Sequence, residues 1–179
     1  SLRVGFWSVV ICLPLGLLLA VILARGAFPG KWLLDGIVHL PLVLPPVVIG
    51  YLLLVLLGRR GIIGAWLLET FDFTIAFPWK GAAVAAAVMA LPLTVRAMRL
   101  SLEQMDRGLE AAARTLGASR LRVFTSITLP LCLPGILTGT ILAFARALGE
   151  FGATITFVSN IPGETQTLAL ALFSETQVP

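Results

Sequence analysis

The stretch 4–24 reads VGFWSVVICLPLGLLLAVILA and contains no Asp, Glu, Lys or Arg. About 20 helical residues cross the hydrocarbon core of a bilayer, so this stretch predicts a transmembrane helix. Three further apolar runs follow along the chain, at 37–57, 81–99 and 131–151. We therefore predict four spans in one transmembrane domain covering residues 1–179, with a polar loop at 101–129.

The composition supports the same class. Of 179 residues, 58% are hydrophobic and only 12% are charged, whereas a soluble domain carries about 25% charged residues. A soluble globular protein and a disordered chain are both excluded. The fold class predicted is an all-α membrane protein, a polytopic helical bundle. The chain lacks a starting Met and begins almost inside an apolar run, so we expect both ends to be truncated and the native helix count to exceed four.

Several chemistries are excluded by residue content. One histidine, His39, and two cysteines, Cys12 and Cys132, leave no Cys/His cluster for a metal site. The chain has no G-x-x-x-x-G-K-[ST] loop for ATP and no nucleophile–base set. We therefore expect no catalytic residue, no metal and no cofactor in this chain, and no enzyme activity.

The basic residues predict an orientation rather than a nucleic-acid partner. If the four spans alternate, the loop after the first span and the loop after the third lie on one side with eight basic residues: Arg25, Lys31, Arg96, Arg99, Arg107, Arg114, Arg120 and Arg122. The opposite side has four: Arg3, Arg59, Arg60 and Lys80. The richer side is cytoplasmic by the positive-inside rule.

Two features within the spans are candidates for a translocation path. Pro41, Pro45 and Pro46 lie within six residues of the second span, and proline removes backbone donors and frees carbonyls that line protein or a wet cavity. A kink that only sets packing is the alternative. Arg146 and Glu150 are four residues apart in the fourth span, where ionised groups are costly and face a bundle interior or an aqueous path. The alternative is mutual neutralisation that holds a helix interface together.

The loop 101–129 is too polar to span the membrane but is strongly patterned. Apolar residues recur there at helical spacing up to Leu116, Gly117 follows in the position of a left-handed C-terminal cap, and Ser119 is a candidate N-cap for a second helix. The pattern predicts a helical hairpin that serves as a docking surface. Its candidate contact residues include Ala112, Ala113, Arg114, Gly117, Arg120 and Arg122.

This loop resembles the motif E-A-A-x3-G-x9-I-x-L-P of ABC importer permeases. Gly117, nine intervening residues and then Ile127-x-Leu129-Pro130 match its second half, and Ala112 and Ala113 match its two alanines. The glutamate position falls on Ala111, while Glu110 is displaced by one residue. The segments 39–48, 149–154 and 160–167 are similar to the molybdate/sulfate group of these permeases, and the last is most similar to its molybdate members.

The resemblance implies a bundle of the ABC importer permease type that carries molybdate across the bacterial cytoplasmic (inner) membrane by alternating access. It implies an ABC ATPase dimer docked on the cytoplasmic loop, with Glu110, Ile127, Leu129 and Pro130 among the contact residues. ATP and magnesium are expected to bind in that partner. A periplasmic or lipid-anchored molybdate-binding protein and a second copy of the chain are the other expected partners. The alternatives are a sulfate/thiosulfate or tungstate permease of the same family, or a structural membrane subunit that transports nothing.

Overall fold

The computed structural model describes residues 1–72, 74 and 78–177, and the regular elements within them are helical. The α-helices are α1 (Leu2–Arg25), α2 (Lys31–Val43), α3 (Pro46–Leu57), α4 (Ile62–Phe71), α5 (Trp79–Glu103), α6 (Arg107–Thr115), α7 (Arg120–Val123), α8 (Leu129–Leu131), α9 (Leu133–Leu148), α10 (Gly152–Val158) and α11 (Leu168–Gln177). A π-helical turn, Phe124–Thr128, joins α7 to α8.

The predicted spans 4–24 and 81–99 lie within α1 and α5, which are both long and apolar enough to cross a membrane. The run 37–57, in contrast, does not form one continuous helix: α2 and α3 meet at an angle of 118°. The break falls at Leu44, which is extended because Pro45 follows it, and α3 begins at Pro46, where a missing N–H costs nothing. Pro41 lies inside α2 without breaking it.

The helix found in the expected span 131–151 is also shorter than the apolar run: it covers only Leu133–Leu148. Helix α9 ends at Leu148, so Glu150 lies outside it, in a short connection to α10. The segment Arg120–Leu131, which precedes α9, meets it at 62°. Four spans therefore require that each bent pair crosses the membrane as one unit, and that count stays a prediction.

Helix α5 is the centre of the bundle and packs against α1 and α9 along its length. Its contact surface is made of small side chains, which allow close approach of helices in a membrane. Gly16 of α1 and Gly139 of α9 face Thr94 of α5: a Cβ built on Gly16 would lie 2.9 Å from Thr94 Cγ2. The alanines of α5 buried in this core are Ala82, Ala83, Ala85, Ala86, Ala87 and Ala90.

Candidate functional site

The loop between α5 and α9 folds into a helical hairpin, residues 106–128, which we call the loop hairpin. Its first helix, α6, begins after Asp106, whose carboxylate accepts the Gly108 N–H at 2.8 Å. At the other end Gly117 has φ +84°, and the Ala118 N–H donates to the Ala113 carbonyl at 3.1 Å. This is the left-handed glycine cap that the sequence predicts.

The second part of the loop hairpin starts as predicted and then departs from a regular helix. Ser119 Oγ accepts the Arg122 N–H at 3.3 Å, which caps α7. After Val123 the backbone changes to the π-helical turn, whose last residue, Thr128, is buried. Ile127 and Leu129 are half-buried near this turn and Pro130 is exposed, so these three motif residues lie where the loop hairpin joins α8.

The outer face of the loop hairpin is apolar and open. Leu116 is 89% exposed and Leu121 is 73% exposed, and Leu109 is also exposed. The side chains of Arg114, Arg120 and Arg122, on the same two helices, are exposed as well. Ala112 is exposed and Ala113 half-buried beside them. Leucines this exposed at the tip of a polar hairpin form a surface suited to a protein partner.

Glu110 is grouped with the candidate docking residues from the sequence, but the structure buries its side chain against the rest of the chain. Only 8% of the residue is exposed. Its carboxylate receives both arms of the Arg25 guanidinium, with Nη1 to Oε2 at 2.8 Å and Nη2 to Oε1 at 2.5 Å, and Thr128 Oγ1 donates to Oε1 at 2.5 Å. A one-residue shift rotates a side chain by about 100° around a helix, which turns Glu110 inward.

The surroundings of Glu110 fix its ionised form. Burial raises the pKa of a carboxyl group, but here the hydrogen bonds from Arg25 and Thr128, together with the charges of Arg25 and Arg114, more than offset it. The pKa of Glu110 is lowered, so the carboxylate is charged at neutral pH.

The second charged pair lies within the bundle. Arg146 Nη1 is 2.6 Å from Glu150 Oε2, and the Glu150 side chain is 1% exposed against 28% for Arg146. The two side chains are paired, as the alternative of mutual neutralisation expects, although Glu150 lies beyond the end of α9; a role in a translocation path stays a prediction. Glu150 Oε1 accepts the Ala153 N–H at 2.8 Å, so the carboxylate also caps the start of α10.

The break at Pro45–Pro46 and the break at Glu150 meet in space. Helix α3 packs against α10. A Cβ built on Gly152 would lie 2.8 Å from Pro46 Cβ, and one built on Gly50 would lie 2.6 Å from the Ala153 carbonyl oxygen. The structure thus brings Pro46 close to the segment that carries Glu150, while Pro41 is buried in α2 on the other side of the bend.

One polar cluster was not predicted. Arg99 of α5 donates to both carboxylate oxygens of Asp35 on α2, each at 3.1 Å, and its Nε donates to Glu103 at 2.7 Å. His39 Nδ1 lies 2.8 Å from the Asp35 carbonyl oxygen. These residues line an open cavity of about 590 Å³. Arg99 and Asp35 are 64 positions apart, and the only signal in the sequence was an acidic residue near the start of a span.

Long apolar helices, helix breaks within the bundle and a polar helical hairpin with exposed leucines define the class: a multi-pass membrane protein. A family model described as "Binding-protein-dependent transport system inner membrane component" matches residues 13–176. The chain belongs to this family, and it is a transport subunit rather than an enzyme.

Within this family, the chain is similar to individual molybdenum and sulfate transport permeases. The chain is 63% identical over 179 residues to the Molybdenum transport system permease protein ModB of Escherichia coli (strain K12), covering 100% of this chain and 78% of the relative. It is 61% identical over the same coverage to the ModB protein of Haemophilus influenzae. The Sulfate transport system permease protein CysT of Salmonella typhimurium is 41% identical over 162 residues, 90% of this chain and 58% of that protein.

Proposed function

We propose that this chain is the permease subunit of an ATP-driven importer that carries molybdate inward across the bacterial cytoplasmic membrane. The single observation that carries the choice of substrate is the 63% identity, over the whole chain, to a molybdenum transport permease. The sulfate permease relative is less similar, at 41%, and makes sulfate the second candidate. Tungstate is expected to compete with molybdate because both are tetrahedral dianions of similar size.

The loop hairpin is the docking surface for the ATPase partner. Its outer leucines supply apolar contact area and its arginines meet carboxylates at the rim, which is the usual arrangement of a protein interface. ATP and magnesium bind in the partner ATPase dimer, since the sequence has no P-loop. The excess of basic residues on the hairpin side supports a cytoplasmic location for it.

The translocation path runs beside the two helix breaks. Irregular backbone at membrane depth is tolerated where it is buried in protein or lines a cavity, and the breaks at Pro45–Pro46 and at Glu150 lie against each other through α3 and α10. Two copies of the chain form the path between them. Closure of the ATPase moves the two hairpins and alternates access to the path, and an external binding protein delivers the oxyanion.

Uptake by the complete transporter tests the proposal. Molybdate entry into proteoliposomes that contain the permease, its ATPase and its binding protein is measured with increasing sulfate or tungstate as competitor. The proposal predicts ATP-dependent molybdate uptake that tungstate reduces and equimolar sulfate does not. Sulfate competing as strongly as unlabelled molybdate would assign the chain to the sulfate group instead, and absence of uptake with every oxyanion would support a structural subunit.

A further inference from the structure

We propose that Glu110 is a positioning residue that fastens the loop hairpin to the cytoplasmic end of α1, so that movement of the hairpin is passed to the transmembrane bundle. The inference rests on the proposed function, because its consequence is the coupling of ATP hydrolysis to transport. The three residues that form this attachment, Arg25, Glu110 and Thr128, are called the latch below.

In the latch, the carboxylate of Glu110 accepts three hydrogen bonds. Arg25 is the last residue of α1, and its guanidinium grips both oxygens of Glu110 in a fork. Fork-shaped arginine–carboxylate pairs fix orientation as well as supplying energy. Thr128 adds a third hydrogen bond from the end of the π-helical turn. Three separate segments of the chain therefore meet at one buried side chain.

A second contact attaches the same two elements. The Arg107 guanidinium, at the start of α6, donates to the Ala24 carbonyl at 3.4 Å through Nη2. Helix α6 is thus held to the end of α1 at Arg107 and again at Glu110. Two attachments along one helix resist rotation as well as translation, so α6 and the end of α1 move as one piece.

The position of Glu110 separates the latch from the docking surface. The exposed residue at the motif's glutamate position is Ala111, whose methyl group offers a partner no charge. Glu110, one residue earlier, is buried against its own chain. In this protein the carboxylate of the loop therefore connects the hairpin inward, while the leucines and arginines of the outer face remain for the partner.

The latch leads directly into the helices that pack around the core. Helix α1 packs along both α5 and α9, and Thr128 immediately precedes α8, which leads into α9. A displacement of the loop hairpin consequently reaches α1 through Arg25 and α9 through Thr128. Without the latch, a docked partner would move a hairpin that is joined to the bundle mainly through its chain connections.

The ratio of molybdate imported to ATP hydrolysed tests the latch in proteoliposomes that hold the complete transporter. Glu110→Gln keeps the size of the side chain and an acceptor for Thr128 but removes the charge that Arg25 grips. We expect this ratio to fall by about five-fold or more, within the usual range of coupling between sites. The ATPase still co-purifies with the variant, because the outer face is unchanged.

Two further variants keep the test decisive. Arg25→Lys retains the positive charge but loses the fork, so the ratio falls less than in Glu110→Gln while assembly is preserved. Glu103→Gln is the matched control: Glu103 also pairs with an arginine, Arg99, at the same end of the bundle, but it is more exposed and outside the latch. Its ratio stays at the native value.

Two outcomes would contradict the proposed latch, provided that the native transporter imports molybdate. One is an unchanged ratio of molybdate imported to ATP hydrolysed in both Glu110→Gln and Arg25→Lys. The other is loss of ATPase binding in Glu110→Gln, which would place Glu110 in the docking surface. Amide hydrogen exchange of α6 in the isolated chain gives a readout that does not depend on substrate. Glu110→Gln should speed exchange in α6 and Glu103→Gln should not. If the native transporter imports no molybdate but Glu110→Gln still speeds exchange in α6 and Glu103→Gln does not, the proposed substrate is wrong and the proposed latch is supported.

Discussion

Two Arg–Glu pairs of this protein, one at the loop hairpin and one in the bundle, differ in what surrounds the carboxylate. Glu110, at the loop hairpin, receives a two-armed grip from Arg25 and a hydroxyl from Thr128. Glu150, in the bundle, has one ion-pair contact, from Oε2 to Arg146, and accepts the Ala153 N–H through Oε1. The carboxylate of Glu110 therefore accepts three side-chain hydrogen bonds, which suits a rigid attachment between two elements. The carboxylate of Glu150 is held at a helix break by one arginine contact and one backbone N–H.

The largest effect is expected from breaking the pair around Glu150. Arg146→Leu leaves a carboxylate that is 1% exposed without its counter-charge, which costs about 3 kcal/mol or more. The yield of monodisperse protein in detergent should fall at least about ten-fold. The double variant Arg146→Leu/Glu150→Gln removes the charge but keeps an acceptor for the Ala153 N–H, and should recover most of the yield.

Transport by that double variant sharpens the comparison between the pairs. If the pair lines the path, the double variant should assemble but not transport molybdate. If the pair is purely structural, the double variant should both assemble and transport. If Arg146→Leu and Glu150→Gln each lower the yield and their effects simply add, the two side chains are not coupled.

The next largest effect is expected at Gly117. Its φ of +84° costs a residue with a Cβ about 1–2 kcal/mol, and a valine there also crowds the docking surface. Gly117→Val should weaken binding of the ATPase and reduce molybdate uptake about ten-fold, while insertion into the membrane is normal. Gly163→Val is the control, because Gly163 has a similar φ of +80° in the turn before α11; equal loss of ATPase binding in both variants would contradict a specific role for the hairpin.

Much of the loop hairpin could be predicted from the sequence because its signals are local. Gly117 supplies the left-handed cap, and Ser119 caps the next helix within three residues. The latch could not be predicted in the same way, since Arg25 and Glu110 are 85 positions apart and only the packing of α1 brings them together. The prolines indicated a break in the second span, but the 118° bend depends on how α3 packs against α10.

A smaller effect is expected from the exposed leucines of the loop hairpin. Leu116→Ser removes an apolar side chain that is 89% exposed and contributes little to folding. The affinity for the ATPase should fall several-fold, in line with the loss of one interface leucine, with no change in thermal stability. Leu172→Ser on α11, also exposed at 61%, is the matched control; equal weakening by both variants would remove the case for a docking face.

The smallest effect is expected from pH. Because the pKa of Glu110 is lowered in the folded protein, its contribution is fully present above the ordinary carboxyl pKa and is lost only as pH falls through the lowered value. Hydrogen exchange in α6 should therefore show no dependence on Glu110 ionisation between about pH 6 and 8 once intrinsic rates are corrected. A transition in that range, present in the native chain and absent in Glu110→Gln, would show that the latch does not hold the carboxylate ionised.

Cross-linking from the loop hairpin tests the central claim most directly. Cys12 and Cys132 are buried, so a cysteine introduced at Leu116 or at Ile161, both exposed, reacts with little background. In the assembled transporter, Leu116→Cys is predicted to cross-link to the ATPase subunit and Ile161→Cys, in the connection between α10 and α11, is not. Cross-linking to the ATPase from Ile161→Cys but not from Leu116→Cys would contradict both the docking surface and the cytoplasmic location of the hairpin.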